Sequence, residues 1–134
     1  MSDKTIFEKI IDRELPAHIV YEDELAIAIM DIFPSVAGQV VVIPKKPLSY
    51  IFDLPDDLYG HLLAVTKRVA KALDTAFDTS RTCVVVEGFE VPHVHIKLYP
   101  LAKSETALTS VLMHTQPAEE DEMETHCAAI KKAL

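Results

Sequence analysis

Two hydrophobic rhythms divide this chain. Ile6, Phe7, Ile10 and Ile11 recur three and four apart, the spacing of a helix with one apolar face. It predicts a short amphipathic helix over Thr5 to Glu14, with Ser2 or Asp3 as N-cap and Pro16 as terminator. Leu58, Leu62, Val65, Val69, Leu73 and Phe77 keep the same period and predict a long helix from about Pro55 to Phe77. Pro55 suits its first turn, and Asp56 and Asp57 complement the positive end of the helix dipole. A third helix is predicted over Pro117 to Leu134, where acids come early and Lys131 and Lys132 late.

Elsewhere the rhythm is that of strands. His18 to Tyr21 and Leu25 to Ile32 are rich in β-formers and flank Glu22-Asp23-Glu24, which predicts a hairpin. After a turn at Pro34 to Gly38, Val40 to Ile43 form the unbroken apolar run expected of a central strand. Lys45 to Asp53 read as a connection with a helical turn at Tyr50 to Phe52, and Thr82 to Val86 as another strand. From Pro92 to Pro100 the period is two, so a strand there turns His93, His95 and Lys97 to one face and Val94, Ile96 and Leu98 to the core. Thr109 to Met113 fit a short strand or an interface segment. The order predicts one α+β domain over residues 1–134, built on an antiparallel meander.

Composition narrows the possibilities. The chain has 134 residues, 49% of them hydrophobic and 25% charged, which suits a globular protein with a sizeable core. No apolar run reaches the roughly 20 residues that cross a bilayer, and the opening residues lack the layout of a secretory signal. Cytoplasm is the expected location. Cys83 and Cys127 form no CxxC pair and are expected to be free, buried thiols. Thirteen Lys and Arg face 21 Asp and Glu, a net charge of −8, which opposes binding to bulk nucleic acid or an anionic membrane. A single small phosphorylated ligand held by local donors remains compatible with that charge.

Two imidazoles and an ammonium on one rim can attack, hold or neutralise a phosphate. The bland alternative is a polar strand edge facing solvent; a mononuclear metal site on His93 and His95 is another, with no third ligand evident from spacing. His18, His61, His114 and His126 read as ordinary surface or half-buried residues. Lys45 and Lys46 are a solvated strand end or an attractor for distal phosphates.

The segment His93-Val94-His95-Ile96-Lys97-Leu98-Tyr99 resembles the defining motif of the histidine triad (HIT) family, His-φ-His-φ-His-φ-φ with φ hydrophobic. Ile6 to Ala17, Val20 to Asp23, Met30 to Pro34 and Val42 to Lys46 also match that family in content and order, so the resemblance covers about residues 5 to 100. Residues 101–134 remain as a C-terminal extension with a helix. The resemblance implies a HIT-like fold, a homodimer, and hydrolysis at the α-phosphate of a small nucleotide derivative through a covalent nucleotidyl-histidine. His95 would be the nucleophile, Lys97 the phosphate contact, and His93 a supporting residue. Asp31 would accept from the ribose hydroxyls, although a turn acid before Pro34 is its structural alternative. Phe7, Ile10, Leu15, Ile29 and Ile32 would sandwich the base, most naturally a purine, with Ile6 and Ile11 the more securely buried pair.

The chain departs from the family at three places. Lys97 stands where the third histidine belongs; lysine is a point-charge phosphate binder and a poor reversible acid near neutrality. Reduced or redirected activity is expected, and a nucleotide-binding or scaffold protein with weakened turnover is the alternative. The loop before His93 is short, runs Glu87-Gly88-Phe89-Glu90-Val91-Pro92, and lacks the family's Gly-Gln-Ser or Gly-Gln-Thr. Either glutamate near the site would repel phosphate unless turned outward. Finally, some members hold zinc with two N-terminal cysteines, a later histidine and the first triad histidine. Here no cysteine flanks Phe7, and Pro47 replaces the later histidine. A closed zinc site needs about four ligands, so neither metal nor cofactor is expected.

Overall fold

The computed structural model describes residues 3–112 and 115–134. Ser2, His114 and Met113, for which a cap, a surface role and a segment end are expected, lie outside the described residues. The chain forms α1 (Ile6–Ile11), β1 (Ile19–Glu22), β2 (Ala26–Met30), β3 (Val40–Pro44), a 3-10 turn (Ile51–Asp53), α2 (Asp56–Phe77), β4 (Thr79–Val85), β5 (Ile96–Ala102), α3 (Thr109–Leu112) and α4 (Glu120–Ala133). The five strands make one antiparallel sheet in the order β1-β2-β3-β5-β4. The expected α+β architecture is therefore what the chain adopts. Its meander covers β1 to β3, and β5 then slots beside β3 while β4 takes the edge.

Strand alternation sends two apolar sets to opposite faces. Ala26, Ala28, Met30, Val40, Val42, Val94, Ile96 and Leu98 pack against Leu62, Val65, Val69 and Leu73 of α2 and Cys127 and Ile130 of α4. Ile27, Ile29, Val41 and Ile43 face the other way, onto Ile10 and Phe7 of α1. Every residue of β2 and β3 is buried, as a continuous apolar run implies. Helix α1 is too short to roof its whole face. No helix among the described residues is long and apolar enough to cross a membrane.

Several local details differ from the sequence reading. Thr5, not Ser2 or Asp3, caps α1 through a capping box with Glu8. The helix ends at Ile11, and Arg13 takes a left-handed φ of 64°. Pro55 is the N-cap of α2 rather than a member of its first turn. Residues 109–112 are a helical turn, not a strand. Both cysteines are free, but Cys83 is only half-buried. Gly38 turns β2 into β3 at φ 82°, and a Cβ there would lie 2.5 Å from the Phe77 ring, so a larger residue would strain the positive φ and force that ring to shift.

Candidate functional site

The strand expected from Pro92 starts at Ile96; His93 to His95 form its bent approach, anchored by Val94 N–H donating to the Leu48 carbonyl at 2.7 Å. The alternation nevertheless persists through the bend. Val94, Ile96 and Leu98 enter the core under α2, and the intervening side chains turn toward α1.

His93 is fully buried, and both its ring nitrogens are engaged. Nε2 lies 2.8 Å from the Pro44 carbonyl oxygen and must donate to it. Nδ1, 2.9 Å from Thr5 Oγ1, then accepts from that hydroxyl. Burial pushes the His93 pKa below its ordinary value, which favours this neutral form. Thr5 also accepts from the Glu8 amide, so one hydroxyl ties the start of α1 to the histidine. Phe7 in the first turn of α1 packs its ring 5.8 Å from His93 and 4.9 Å from His95.

His95 Nδ1 lies 2.8 Å from the carbonyl oxygen of His93 and donates to it, so that in the neutral ring it is Nε2 that carries the free lone pair. His95 keeps 4% of its surface exposed. Among the described residues no buried side-chain nitrogen or oxygen lacks a partner, and Nε2 has none, so solvent reaches that atom. What it meets is a cleft of about 690 Å³, the size of a small-molecule site.

The cleft brings together most residues singled out in the sequence: Phe7, Ile10, Leu15, Ile29, Asp31, Ile32, His95 and Lys97 all line it. His93 does not; it lies beneath the wall. Lys97 sits beside Val41 of β3 and Val85 of β4, and its ammonium has no ion-pair partner among the described residues. Asp31 follows the end of β2 and combines the turn and cleft readings. Its Oδ1 accepts from the Phe33 amide at 2.9 Å and its Oδ2 from Gln39 Nε2 at 2.8 Å, and each oxygen keeps a second lone pair. The expected buried pair is reversed: Ile6 is exposed and lines the cleft, Ile11 is half-buried, and Ile10 is the one buried at this face. A six-residue helix turns one narrow stripe inward, and Ile10 occupies it.

Gln39, Tyr99 and the His18–Glu120 pair were not anticipated as participants. Gln39 is buried and locks Asp31 while its Oε1 accepts from Ser35 N–H. Tyr99 lines the cleft two residues beyond Lys97 on the same strand face, where the alternation extended by one step would have found it. Burial chiefly, and then the carboxylates of Asp31, Glu87 and Glu90, raise the Tyr99 pKa above its ordinary value. Glu90, although exposed, borders the cleft, which therefore carries this carboxylate as well as the Lys97 ammonium. His18 is half-buried, one of the two expected settings, but it has a partner: its Nε2 lies 2.7 Å from Glu120 Oε1 and both line the cleft. The pairing joins residues 102 apart in sequence, and no local pattern announces it. His61 likewise has a partner, Asp23, and the His126 ring packs edge-on against Phe77.

Comparison with known proteins gives a consistent picture. The HIT domain pattern matches residues 12–103. An uncharacterized HIT-like protein of Synechococcus elongatus is 40% identical over 103 residues, covering 73% of this chain and 90% of its own. Among solved structures, a Hit-like protein involved in cell-cycle regulation from Bartonella henselae superposes with a TM-score of 0.87 at 27% identity, over 99% of this chain and 98% of the other. A hypothetical histidine triad nucleotide-binding protein from Sulfolobus tokodaii gives 0.85 at 26% identity, over 95% and 89%.

Proposed function

The chain belongs to the HIT domain family, and from that premise we propose that it binds a small nucleotide derivative and cleaves it at the α-phosphate through His95. The observation that carries the reading is the tautomer of that residue. Its Nδ1–H is spent on the His93 carbonyl, and Nε2 opens on a cleft shared with Lys97 and Asp31. A neutral ring held in one orientation is what a nitrogen nucleophile requires.

In the proposed reaction the Nε2 lone pair forms a bond to phosphorus, and the bond from phosphorus to the leaving group breaks. The leaving group departs with the electron pair and takes up a proton. Water then attacks phosphorus, the P–Nε2 bond breaks, and the nucleoside monophosphate is released with the imidazole restored. The Lys97 ammonium offsets charge on the non-bridging oxygens. His93 holds the backbone carbonyl that orients His95, Asp31 accepts from the ribose hydroxyls, and Phe7, Ile10, Leu15, Ile29 and Ile32 flank a purine base. No metal or other cofactor takes part in these steps. Since lysine is a poor reversible acid, turnover is expected to depend on how readily the leaving group accepts its proton from water.

Release of AMP from an adenosine phosphoramidate tests this. His95→Ala should lower turnover at least about 10³-fold while leaving AMP affinity within a few fold, and Lys97→His should raise turnover. Nucleotide binding without turnover by any derivative would leave the second reading, a nucleotide-binding or scaffold protein. The charge balance of the cleft, lined by Asp31, Glu90 and Glu120 as well as Lys97, favours that reading enough to keep it. A homodimer is also proposed: β4 is an open edge carrying exposed Val84, a surface that invites a second strand. Light scattering at micromolar concentration checks it.

A further inference from the structure

The register of the sheet orders the cleft. Ile19 of β1 pairs with Ile29 of β2, Ile29 with Val41 of β3, and Val41 with Lys97 of β5. Ile29, Val41 and Lys97 line the cleft in one row and Ile19 continues it onto β1, three strand spacings of about 4.8 Å, or roughly 14 Å end to end. A phosphate at Lys97 and His95, and a ribose at Asp31 near the end of β2, direct the base toward β1. At that end stand His18 and Glu120. The chain near each is held by backbone bonds, while the Glu120 side chain itself is 73% exposed and that of His18 19%. The His18 carbonyl accepts from Met30 N–H at 2.9 Å, and the segment entering α4 is held by Ala118 N–H to the Ile32 carbonyl at 2.9 Å.

Apolar side chains of Ile6, Leu15, Ile32 and Met123 line the cleft with His18 and Glu120, along with the small hydroxyls of Ser35 and Thr115. The His18–Glu120 pair brings the ionisable groups a base edge would meet there. An ionised carboxylate can only accept, so His18 Nε2 donates to Oε1. Glu120 Oε2 has no partner among the described residues. The N-cap of α4 is the preceding residue, so the Glu120 carboxylate is not used in capping. A single oriented acceptor suits one N–H donor, such as an exocyclic amine.

Building on the nucleotide reading above, we propose that Glu120, oriented by His18, reads the base and selects one with an edge amine, as in adenine. An apolar slot discriminates poorly between bases of one shape, whereas a placed hydrogen-bonding group favours the base that offers its partner.

Calorimetry with AMP and with purine riboside 5′-monophosphate, which differs only by lacking the amine, tests the proposal. The full-length protein should bind AMP about tenfold more tightly. Glu120→Ala should reduce that preference to twofold or less, chiefly by weakening AMP, and His18→Ala should act in the same direction. If the two ligands bind the unmodified protein equally, base reading is overturned and the nucleotide site stands. If Glu120→Ala weakens both ligands alike or lowers the melting temperature with the preference intact, the pair is only a tether for α4 and the proposal fails. If neither ligand binds, the nucleotide reading itself falls and takes base selection with it.

Discussion

One sheet presents two faces with opposite fates. The face toward α2 and α4 is roofed by helices of 22 and 14 residues and closes into a continuous apolar core. The other face is equally apolar in β2 and β3, yet α1 supplies only six residues of cover. Where that cover stops, the cleft begins, and His95, Lys97 and Asp31 stand along it. The strands therefore do not distinguish the faces; the length of what lies on them does. Chemistry occupies the part of the sheet that packing leaves free.

The largest test of this contrast compares one residue from each side. Leu73 of α2 is fully buried, whereas Ile32 at the cleft is 49% exposed. Leu73→Ala should cost about 2–5 kcal/mol through lost contacts and a residual cavity. Ile32→Ala should cost no more than about 0.5 kcal/mol, but should weaken AMP binding several-fold. Urea unfolding at constant m, paired with calorimetry, reads both. Equal destabilisation by the two changes would mean that the open face is as much core as the closed one.

Sequence made the closed face easy to read and the open one only partly. The stripe on α2 and the runs in β2 and β3 are periodic signals, and burial follows them. His95, Lys97 and Asp31 were legible because they sit in ordered blocks with recognisable chemistry. Gln39, His18 and Glu120 were not, since each gains its role from a partner brought near by the fold. For Glu120 that partner is 102 residues away. The error over Ile6 and Ile11 has a simple cause: the two lie five positions, about 140° around a helix, apart, so a six-residue helix with one narrow inward stripe cannot bury both. The bond from Thr5 to His93 holds the helix with Ile10 on that stripe.

Thr5 is also where the short roof is pinned. Its side chain accepts from Glu8 N–H and donates to His93 Nδ1. Thr5→Val removes a cap worth about 1 kcal/mol and leaves a buried ring nitrogen without its donor, at a further cost of about 1 kcal/mol or more. Thr5→Ser keeps both bonds and should restore stability. The same linkage makes the region sensitive to acid. Burial keeps the folded His93 pKa below the ordinary 6.5, so the unfolded chain binds the proton more readily. The stabilisation is complete above that value and is lost as pH falls through the lowered one. Unfolding at pH 7 and pH 5 should differ accordingly, and a melting temperature flat across that window would contradict a neutral, buried His93.

The smallest expected effect comes from a polar clamp on the closed side. Asp23 Oδ2 accepts from Tyr21 Oη and His61 Nε2, each at 2.7 Å, while Oδ1 accepts from the amides of Leu25 and Ala26. Arg68 of α2 covers the Tyr21 ring at 5.2 Å, so the network fastens the β1–β2 hairpin to that helix. Burial alone would raise the Asp23 pKa, but the four hydrogen bonds outweigh it and hold the group at about 2. Because the folded value lies below the ordinary 3.8, the carboxylate's contribution is present above pH 3.8 and is lost as pH falls through about 2. Asp23→Asn should therefore cost about 1 kcal/mol near neutrality, and the gap from the unmodified protein should narrow toward pH 2. Its AMP affinity should stay within twofold, since the clamp lies across the sheet from the cleft. A variant that lost nucleotide binding along with hairpin stability would show that the two faces are coupled through β1 and β2 and do not behave as separate halves.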